Sequence, residues 1–199
     1  MSAPNSPRIP RPSSPRIEPV TGDLSDGTAA IIEASKVLGG DRPINVFSTM
    51  AHHGRALKHA FSLGGAFMFG GNVSNRTREI VILRVARNTR CEYEYAQHLV
   101  IAQRCGLDRA EVGALVAPDE PAGDWSAVEL AIVALVDELC ADDAVSDATW
   151  SVLATEYDDR AMVELLLVAG YYRMLAGFLN GAGVALDPGL EGWPEGLSI

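Results

Sequence analysis

The sequence has little cysteine and little positive charge. Its three cysteines, at positions 91, 105 and 140, form no Cys-x-x-Cys pair, so neither a disulfide framework nor a zinc-ribbon site is expected. Lysine and arginine total 16 against 26 acidic residues, which gives a net charge of -10 over 199 residues. Because nucleic-acid binding normally needs a basic surface facing the phosphates, the sequence predicts no nucleic-acid partner.

Long apolar segments are absent from the first part of the chain. Residues 1–19 consist largely of Ser, Pro and Arg and lack the apolar core of a signal peptide. The apolar segment around residues 164–179 contains Arg173 and glycines, which is typical of a core helix rather than a membrane span. The sequence therefore predicts a cytoplasmic protein with reduced cysteines and no membrane partner.

The distribution of proline predicts the domain organisation. Six of the eleven prolines lie in the first 19 residues, so residues 1–22 are predicted to form a flexible arm, with docking on a neighbouring subunit as the alternative. Residues 23–187 are long enough to bury one core and are predicted to form a single domain. Residues 188–199 are predicted to be a C-terminal tail.

The remaining pattern is helical. Apolar residues recur at helical spacing from residue 26 onward, and no run alternates long enough to predict a strand. Ser74 is a predicted N-cap, and two capping boxes, Asp108-x-x-Glu111 and Ser126-x-x-Glu129, predict further helix starts. The predicted fold class is an all-α helical bundle.

One helix carries the best candidate for a chemical site. Cys91, Glu94, Tyr95 and His98 stand at i, i+3, i+4 and i+7, so the four side chains project from one face. We expect Glu94 and His98 to share a hydrogen bond and to act as a general acid/base pair. Glu79 lies on the preceding helix and joins them if the two helices pack as an antiparallel hairpin.

Two other interpretations apply to the same residues. A Glu-x-x-x-His spacing has little specificity, so this face is alternatively a solvated polar surface. A metal site built from Glu94, His98 and either His52 or His53 lacks a strong ligand spacing, and no metal is predicted.

The segment that starts at Arg78-Glu79 and continues to Cys91 and His98 resembles the core motif of the carboxymuconolactone decarboxylase superfamily. That superfamily includes the AhpD-type proteins of alkyl hydroperoxide reduction, and the similarity extends over residues 43–184. The resemblance implies an all-α unit that assembles into trimers or hexamers, with sites near subunit contacts.

The cysteine pattern separates the branches of that superfamily. Its peroxidases carry a Cys-x-x-Cys-x-x-x-His motif with an upstream Glu, and here Glu94 stands in place of the second cysteine. Cys105 is fourteen residues beyond Cys91, roughly 21 Å along one helix, which is too far to form a disulfide with it. The sequence is thus more similar to the decarboxylase branch.

The decarboxylase resemblance implies a lyase that acts on a small carboxylated lactone or related acid and needs no cofactor. In this hypothesis His98 is the proton donor, Glu94 orients it and Glu79 belongs to the relay. Either Arg78 or Arg84 holds a substrate carboxylate.

The sequence also offers two candidate pocket-lining residues and two alternative functions. Tyr95 and His53 are candidate pocket-lining residues. One alternative function is a peroxiredoxin-like, thiol-dependent hydroperoxide reductase that uses Cys91 with an external thiol. The other is a non-catalytic helical oligomer that only binds a ligand.

Overall fold

The computed structural model describes residues 9–39, 42–118 and 121–197. These residues contain nine α-helices and a 3₁₀ turn at Ala51–His53. The helices are α1 (Asp26–Gly39), α2 (Asn45–Met50), α3 (Gly54–Gly70), α4 (Asn75–Thr89), α5 (Glu92–Arg104), α6 (Arg109–Val116), α7 (Ala127–Asp142), α8 (Asp147–Leu153) and α9 (Asp159–Ala182). No strand occurs in these ranges, so the all-α prediction is confirmed.

Side-chain caps set several helix starts where the sequence predicts them. The Ser74 side chain accepts a hydrogen bond from the backbone N–H of Thr77 at the start of α4. Both predicted capping boxes form, at α6 and at α7. Helix α2 begins at Asn45, shortly after Pro43, and leads directly into the 3₁₀ turn.

Helix α4 occupies the centre of the fold. It packs against α5, α7 and α9, and every residue from Thr77 to Ala86 is buried. A helix that is covered on all sides must be apolar or have its polar groups paired. Arg84 satisfies this requirement, because its guanidinium binds both carboxylate oxygens of Asp137 on α7 at 2.7 Å. It also donates to the carbonyl oxygens of Leu115 and Ala117.

The last helix is also a core element. By length and composition α9 could cross a membrane, but 56% of its most apolar stretch is buried inside the fold. Its Glu164 side chain accepts hydrogen bonds from the backbone N–H groups of Asn72 and Val73, which joins α9 to the α3–α4 loop. We therefore assign α9 to the core of a soluble helical domain.

The described parts of both terminal segments lie against the domain. In the predicted arm, Arg11 donates to the carbonyl oxygen of Thr89, and the N–H of Val20 donates to the carbonyl oxygen of Ser48. After α9, Asp187 accepts a hydrogen bond from the N–H of Asn45 at 2.8 Å. The remainder of the predicted arm, residues 1–8, lies outside the described residues.

Candidate active site

An internal cavity of about 340 Å³ lies between α2, α3, α5 and α9. Most of its lining is apolar and aromatic, and two ionisable side chains of α5, Glu94 and His98, form part of its wall. The apolar lining includes Ile44, Val46, Phe47, Phe61, Met68, Phe69, Tyr171, Tyr172 and Leu175. Arg104, an exposed residue at the end of α5, lines the same cavity. A cavity of this kind, apolar with few polar groups, is the usual form of a small-molecule site.

The geometry of the α4–α5 hairpin joins Glu79 to His98. Arg90 adopts the left-handed conformation, with φ of 52°, and ends α4 directly before α5 begins. The start of α4 therefore lies beside the end of α5, as the contact of Arg78 with Cys105 shows. In this arrangement Nδ1 of His98 lies 2.7 Å from Oε2 of Glu79. The predicted antiparallel hairpin, with Glu79 reaching His98, is confirmed.

The Glu79 carboxylate is held from two sides. It is fully buried, and its other oxygen, Oε1, accepts a hydrogen bond from Nε of Arg78 at 2.9 Å. Arg78 is itself fixed by Asn75, whose side-chain oxygen lies 2.7 Å from Nη1. Such a carboxylate fixes the orientation of the His98 imidazole, as the acid of a catalytic triad does.

The prediction that Glu94 and His98 share a hydrogen bond is wrong. The His98 ring is engaged by Glu79 and packs edge-on against Tyr172, with ring centroids 5.0 Å apart. Neither carboxyl oxygen of Glu94 has a hydrogen-bond partner among the described residues. Because the hairpin supplies a closer carboxylate from α4, the imidazole is oriented by that helix instead of by its own.

Burial controls the protonation of Glu94. Its side chain is almost completely buried, and desolvation raises the pKa of its carboxyl well above the usual value. The Cys91 thiol lowers the pKa of the Glu94 carboxyl, but this effect is smaller than that of burial. Burial therefore favours the neutral carboxyl form of Glu94, which can donate a hydrogen bond.

Cys91 occupies the N-cap position of α5 but has no exposed surface. Burial raises the pKa of its thiol well above the usual value. Backbone groups at the helix start lower that pKa, with a smaller effect than burial. The thiolate form, which is the reactive nucleophile, is therefore disfavoured.

Four other predicted site residues lie away from the cavity lining. Arg78 and Arg84 are buried in the internal pairs described above. Tyr95 stacks on Trp193, with ring centroids 4.5 Å apart. His53 caps α3, with Nδ1 accepting from the N–H of Ala56, and lines a separate cavity with His52 and His59. The structure thus brings together Glu79, Glu94 and His98, with Cys91 at the start of the same helix.

Sequence reasoning missed the aromatic wall of the cavity. Tyr171 and Tyr172, on α9, are both buried inside the fold. Tyr172 contacts the His98 ring, and Tyr171 packs against Phe67. The only sequence signal is the aromatic pair itself, because its contacts with α3 and α5 depend on how distant helices pack.

No cluster of three or more His, Cys, Asp or Glu side chains in the described residues has a geometry that could hold a metal ion. Glu79 is fully used by Arg78 and His98. Glu94 has no second carboxylate, thiolate or imidazole aligned with it for a common ion.

The central part of the chain is similar to a known protein family. The sequence model of the Carboxymuconolactone decarboxylase family matches residues 55–138. This segment runs from α3 into α7 and includes Glu79, Cys91, Glu94 and His98. The match covers less than half of the chain and confirms the predicted resemblance over that segment.

Solved structures show the same fold at low sequence identity. An AhpD-core, peroxidase-related protein from Ralstonia eutropha JMP134 is 17% identical, with a TM-score of 0.75 over 86% of this chain and 93% of its own. A peroxidase-related protein from Silicibacter sp. TM1040 is 17% identical, with a TM-score of 0.74 over 89% and 95%. A cysteine-to-alanine variant of the debrominase Bmp8, in complex with 2,3,4-tribromopyrrole, is 13% identical, with a TM-score of 0.73 over 86% and 91%. No curated protein gives a significant sequence match.

Proposed function

We propose that this protein is a cofactor-independent acid/base enzyme in which His98 moves a proton to or from a small molecule bound in the cavity. The observation that carries the proposal is the buried Glu79–His98 pair, 2.7 Å apart, beside a largely apolar cavity of about 340 Å³. A positioned imidazole contributes roughly 10²–10⁴-fold to a proton-transfer step.

Each residue has a distinct role in this mechanism. Glu79 binds Nδ1 of His98 and so presents Nε2 to the bound molecule. Arg78 holds Glu79 in place through their ion pair and does not contact substrate. Because the cavity wall carries Glu94 and His98 in addition to apolar groups, the site is equipped for catalysis and not for ligand binding alone.

The proposed substrate is a small carboxylated lactone or related acid. Its ring would occupy the apolar part of the cavity, and its carboxylate would lie at the exposed end beside Arg104, a cationic residue of the lining. Loss of CO₂ from such a compound leaves a carbanion that the substrate's own carbonyl stabilises, and His98 then supplies the proton. Arg104 replaces Arg78 and Arg84 in the carboxylate-binding role because those two are committed to internal pairs.

The experiment follows carboxylated γ-lactones by CO₂ release and by incorporation of solvent deuterium at carbon. Wild-type protein is expected to catalyse both, and His98→Ala to lose at least about 100-fold in rate with an unchanged circular dichroism spectrum. His59→Ala is the matched control, since His59 is exposed and lines the other cavity. Full activity in folded His98→Ala protein would overturn the proposal.

A thiol-dependent hydroperoxide reductase is the second candidate. Structural neighbours described as peroxidase-related favour it, and it would use Cys91 with an external thiol. The absence of exposed surface on Cys91 and its raised thiol pKa weigh against it, which is why the acid/base function is placed first.

We further propose that the protein assembles as a homo-trimer or homo-hexamer. Three apolar side chains on the outer face of α9, Val163, Leu167 and Met174, are each more than half exposed. Apolar surface of this kind is commonly covered by another subunit. Light scattering of the purified protein tests the assembly, and a monomer at micromolar concentration would contradict it.

A further inference from the structure

Glu94 stands apart from the other buried carboxylates of the described residues. Both of its carboxyl oxygens are inaccessible to solvent and neither has a hydrogen-bond partner. Glu79 is bound by Arg78 and His98, and Glu164 by the side chain and backbone of Asn72 and by the N–H of Val73. Buried polar groups are nearly always paired, so an unpaired one requires an explanation.

The position of Glu94 supplies that explanation. It lies one helical turn before His98 on α5, and both side chains line the same cavity. Residues four apart on a helix project from one face, so one bound molecule can touch both. A ligand in the cavity would complete the hydrogen bonding that the protein leaves unfilled.

The surroundings of Glu94 select its neutral form. No ion pair joins it to a lysine, arginine or histidine within the described ranges, and the ionisable groups that interact with it electrostatically are Cys91, Tyr171 and Tyr172. Burial raises the pKa of Tyr171 to about 12 and raises those of Cys91 and Tyr172 well above their usual values, so all three groups stay protonated at neutral pH. Desolvation without a nearby cation keeps the proton on the Glu94 carboxyl.

We propose that Glu94, as a protonated carboxylic acid, donates a hydrogen bond to a carbonyl oxygen of the substrate, and that the site therefore selects ring compounds with an uncharged carbonyl next to the carbon served by His98. This inference rests on the proposed function and adds to it the group that is recognised. A lactone carbonyl or the carbonyl of a cyclic enone fits this description.

The step is balanced without a cofactor. Neutral His98 takes the proton from the carbon next to the carbonyl, and the electron pair of that C–H bond becomes the C=C bond of an enolate. The carbonyl π pair moves onto oxygen, where the Glu94 O–H holds the new charge. Return of the proton from His98 to carbon reverses both movements. A donor that is already in position and desolvated is the arrangement that stabilises such an oxyanion most effectively.

Infrared difference spectroscopy tests the protonation state directly. The spectrum of wild-type protein minus that of Glu94→Gln, at pH 7, is expected to contain the C=O stretch of one protonated carboxyl. Glu164→Gln serves as the matched control, since that carboxylate is buried but fully hydrogen-bonded, and it should remove no such band. Absence of the band from the Glu94→Gln difference would overturn the inference.

Binding of an uncharged probe tests the recognition. Cyclohexenone is expected to bind in the cavity with its carbonyl stretch shifted to lower frequency. The shift should persist in Glu94→Gln, which still has a donor, and vanish in Glu94→Leu, with affinity about tenfold weaker. Ser62→Ala, a hydroxyl removed from the same cavity lining, should leave the shift unchanged. An unchanged shift in Glu94→Leu would overturn the inference.

The two proposals fail separately. If His98→Ala abolishes deuterium incorporation but Glu94 contributes no protonated-carboxyl band, the acid/base function stands and this inference falls. If the band and the carbonyl shift are present but wild-type protein transfers no proton, Glu94 recognises a carbonyl in a site that does not catalyse, and the proposed function falls.

Discussion

The hydroxyl of Tyr171 lies directly over Gly64, so close that a Cβ atom added at this glycine would come within 2.6 Å of the oxygen. The same hydroxyl donates a hydrogen bond to the carbonyl oxygen of Ala60 at 2.9 Å. This contact joins α3 to α9 at the cavity wall and fixes the orientation of the tyrosine ring. The neighbouring Gly65 also lines the cavity, but a Cβ there would meet nothing within 4 Å.

These two glycines form a matched pair for mutation. Alanine stabilises a helix interior relative to glycine by about 1 kcal/mol, so Gly65→Ala is expected to raise the free energy of unfolding. Gly64→Ala should lower it by about 1–2 kcal/mol relative to Gly65→Ala, because Tyr171 must move and lose its hydrogen bond. Urea denaturation measures both variants. Equal stability of the two would contradict the close contact.

Removing the charge of Glu79 is expected to destabilise the protein strongly. Glu79→Gln leaves the buried guanidinium of Arg78 without its ionic partner, which should cost about 3 kcal/mol in free energy of unfolding. Urea denaturation checks this value, with Glu156→Gln as the control at an exposed position. A loss no larger than that of the control would show that the Arg78–Glu79 pair is not desolvated.

Glu94 should make stability fall as pH rises. The pKa of its carboxyl is raised in the folded state, above the ordinary value of 4.5 that applies when the chain is unfolded. Between these two pKa values the folded protein binds one more proton than the unfolded chain, so the free energy of unfolding decreases with pH. This contribution is complete below pH 4.5 and is lost as pH rises through the folded pKa.

The Glu94→Gln variant lacks that titration. The melting temperature of the variant minus that of wild type should therefore increase progressively as the pH rises above about 4.5. Glu33→Gln, at a largely exposed carboxylate, should follow the wild-type curve. Parallel curves for Glu94→Gln and wild type would mean that Glu94 is ionised in the folded protein.

Thiol labelling should distinguish Cys91 from the other cysteines. Cys105 and Cys140 are partly exposed, whereas Cys91 is buried. Iodoacetamide is expected to label Cys91 of the native protein only as fast as the protein unfolds. In denaturant it should label all three cysteines at similar rates, and peptide mass spectrometry measures both. Rapid, selective oxidation of Cys91 by a stoichiometric hydroperoxide, reversed by a thiol, would instead favour the reductase function.

Local sequence signals are sufficient for the helices and for part of the site. Ser74 and Ser126 set helix starts through contacts three residues away, and such contacts are readable from sequence. The i to i+7 spacing places Cys91, Glu94 and His98 on one helix. It cannot decide which acid binds His98, because that depends on how α4 packs against α5.

Long-range contacts explain the remaining differences between the site predicted from the sequence and the site in the structure. In the sequence Arg84 is a cation in a basic segment with no evident partner, yet it binds Asp137, 53 residues later. The pairing converts a predicted carboxylate-binding residue into a tie between α4 and α7. Tyr172 likewise reaches His98 from α9. Neither contact has a local pattern, since both follow from the packing of the whole bundle.

The two-residue connection between α4 and α5, in which Arg90 is left-handed, also has a consequence for folding kinetics. Because it joins α4 to α5 with almost no intervening chain, the contact of Glu79 with His98 closes a loop of only 19 residues. The contact of Tyr171 with Ala60, which completes the cavity wall, closes one of 111 residues. Shorter loops close at lower entropic cost, so the Glu79–His98 pair can assemble while the cavity beside it is still open.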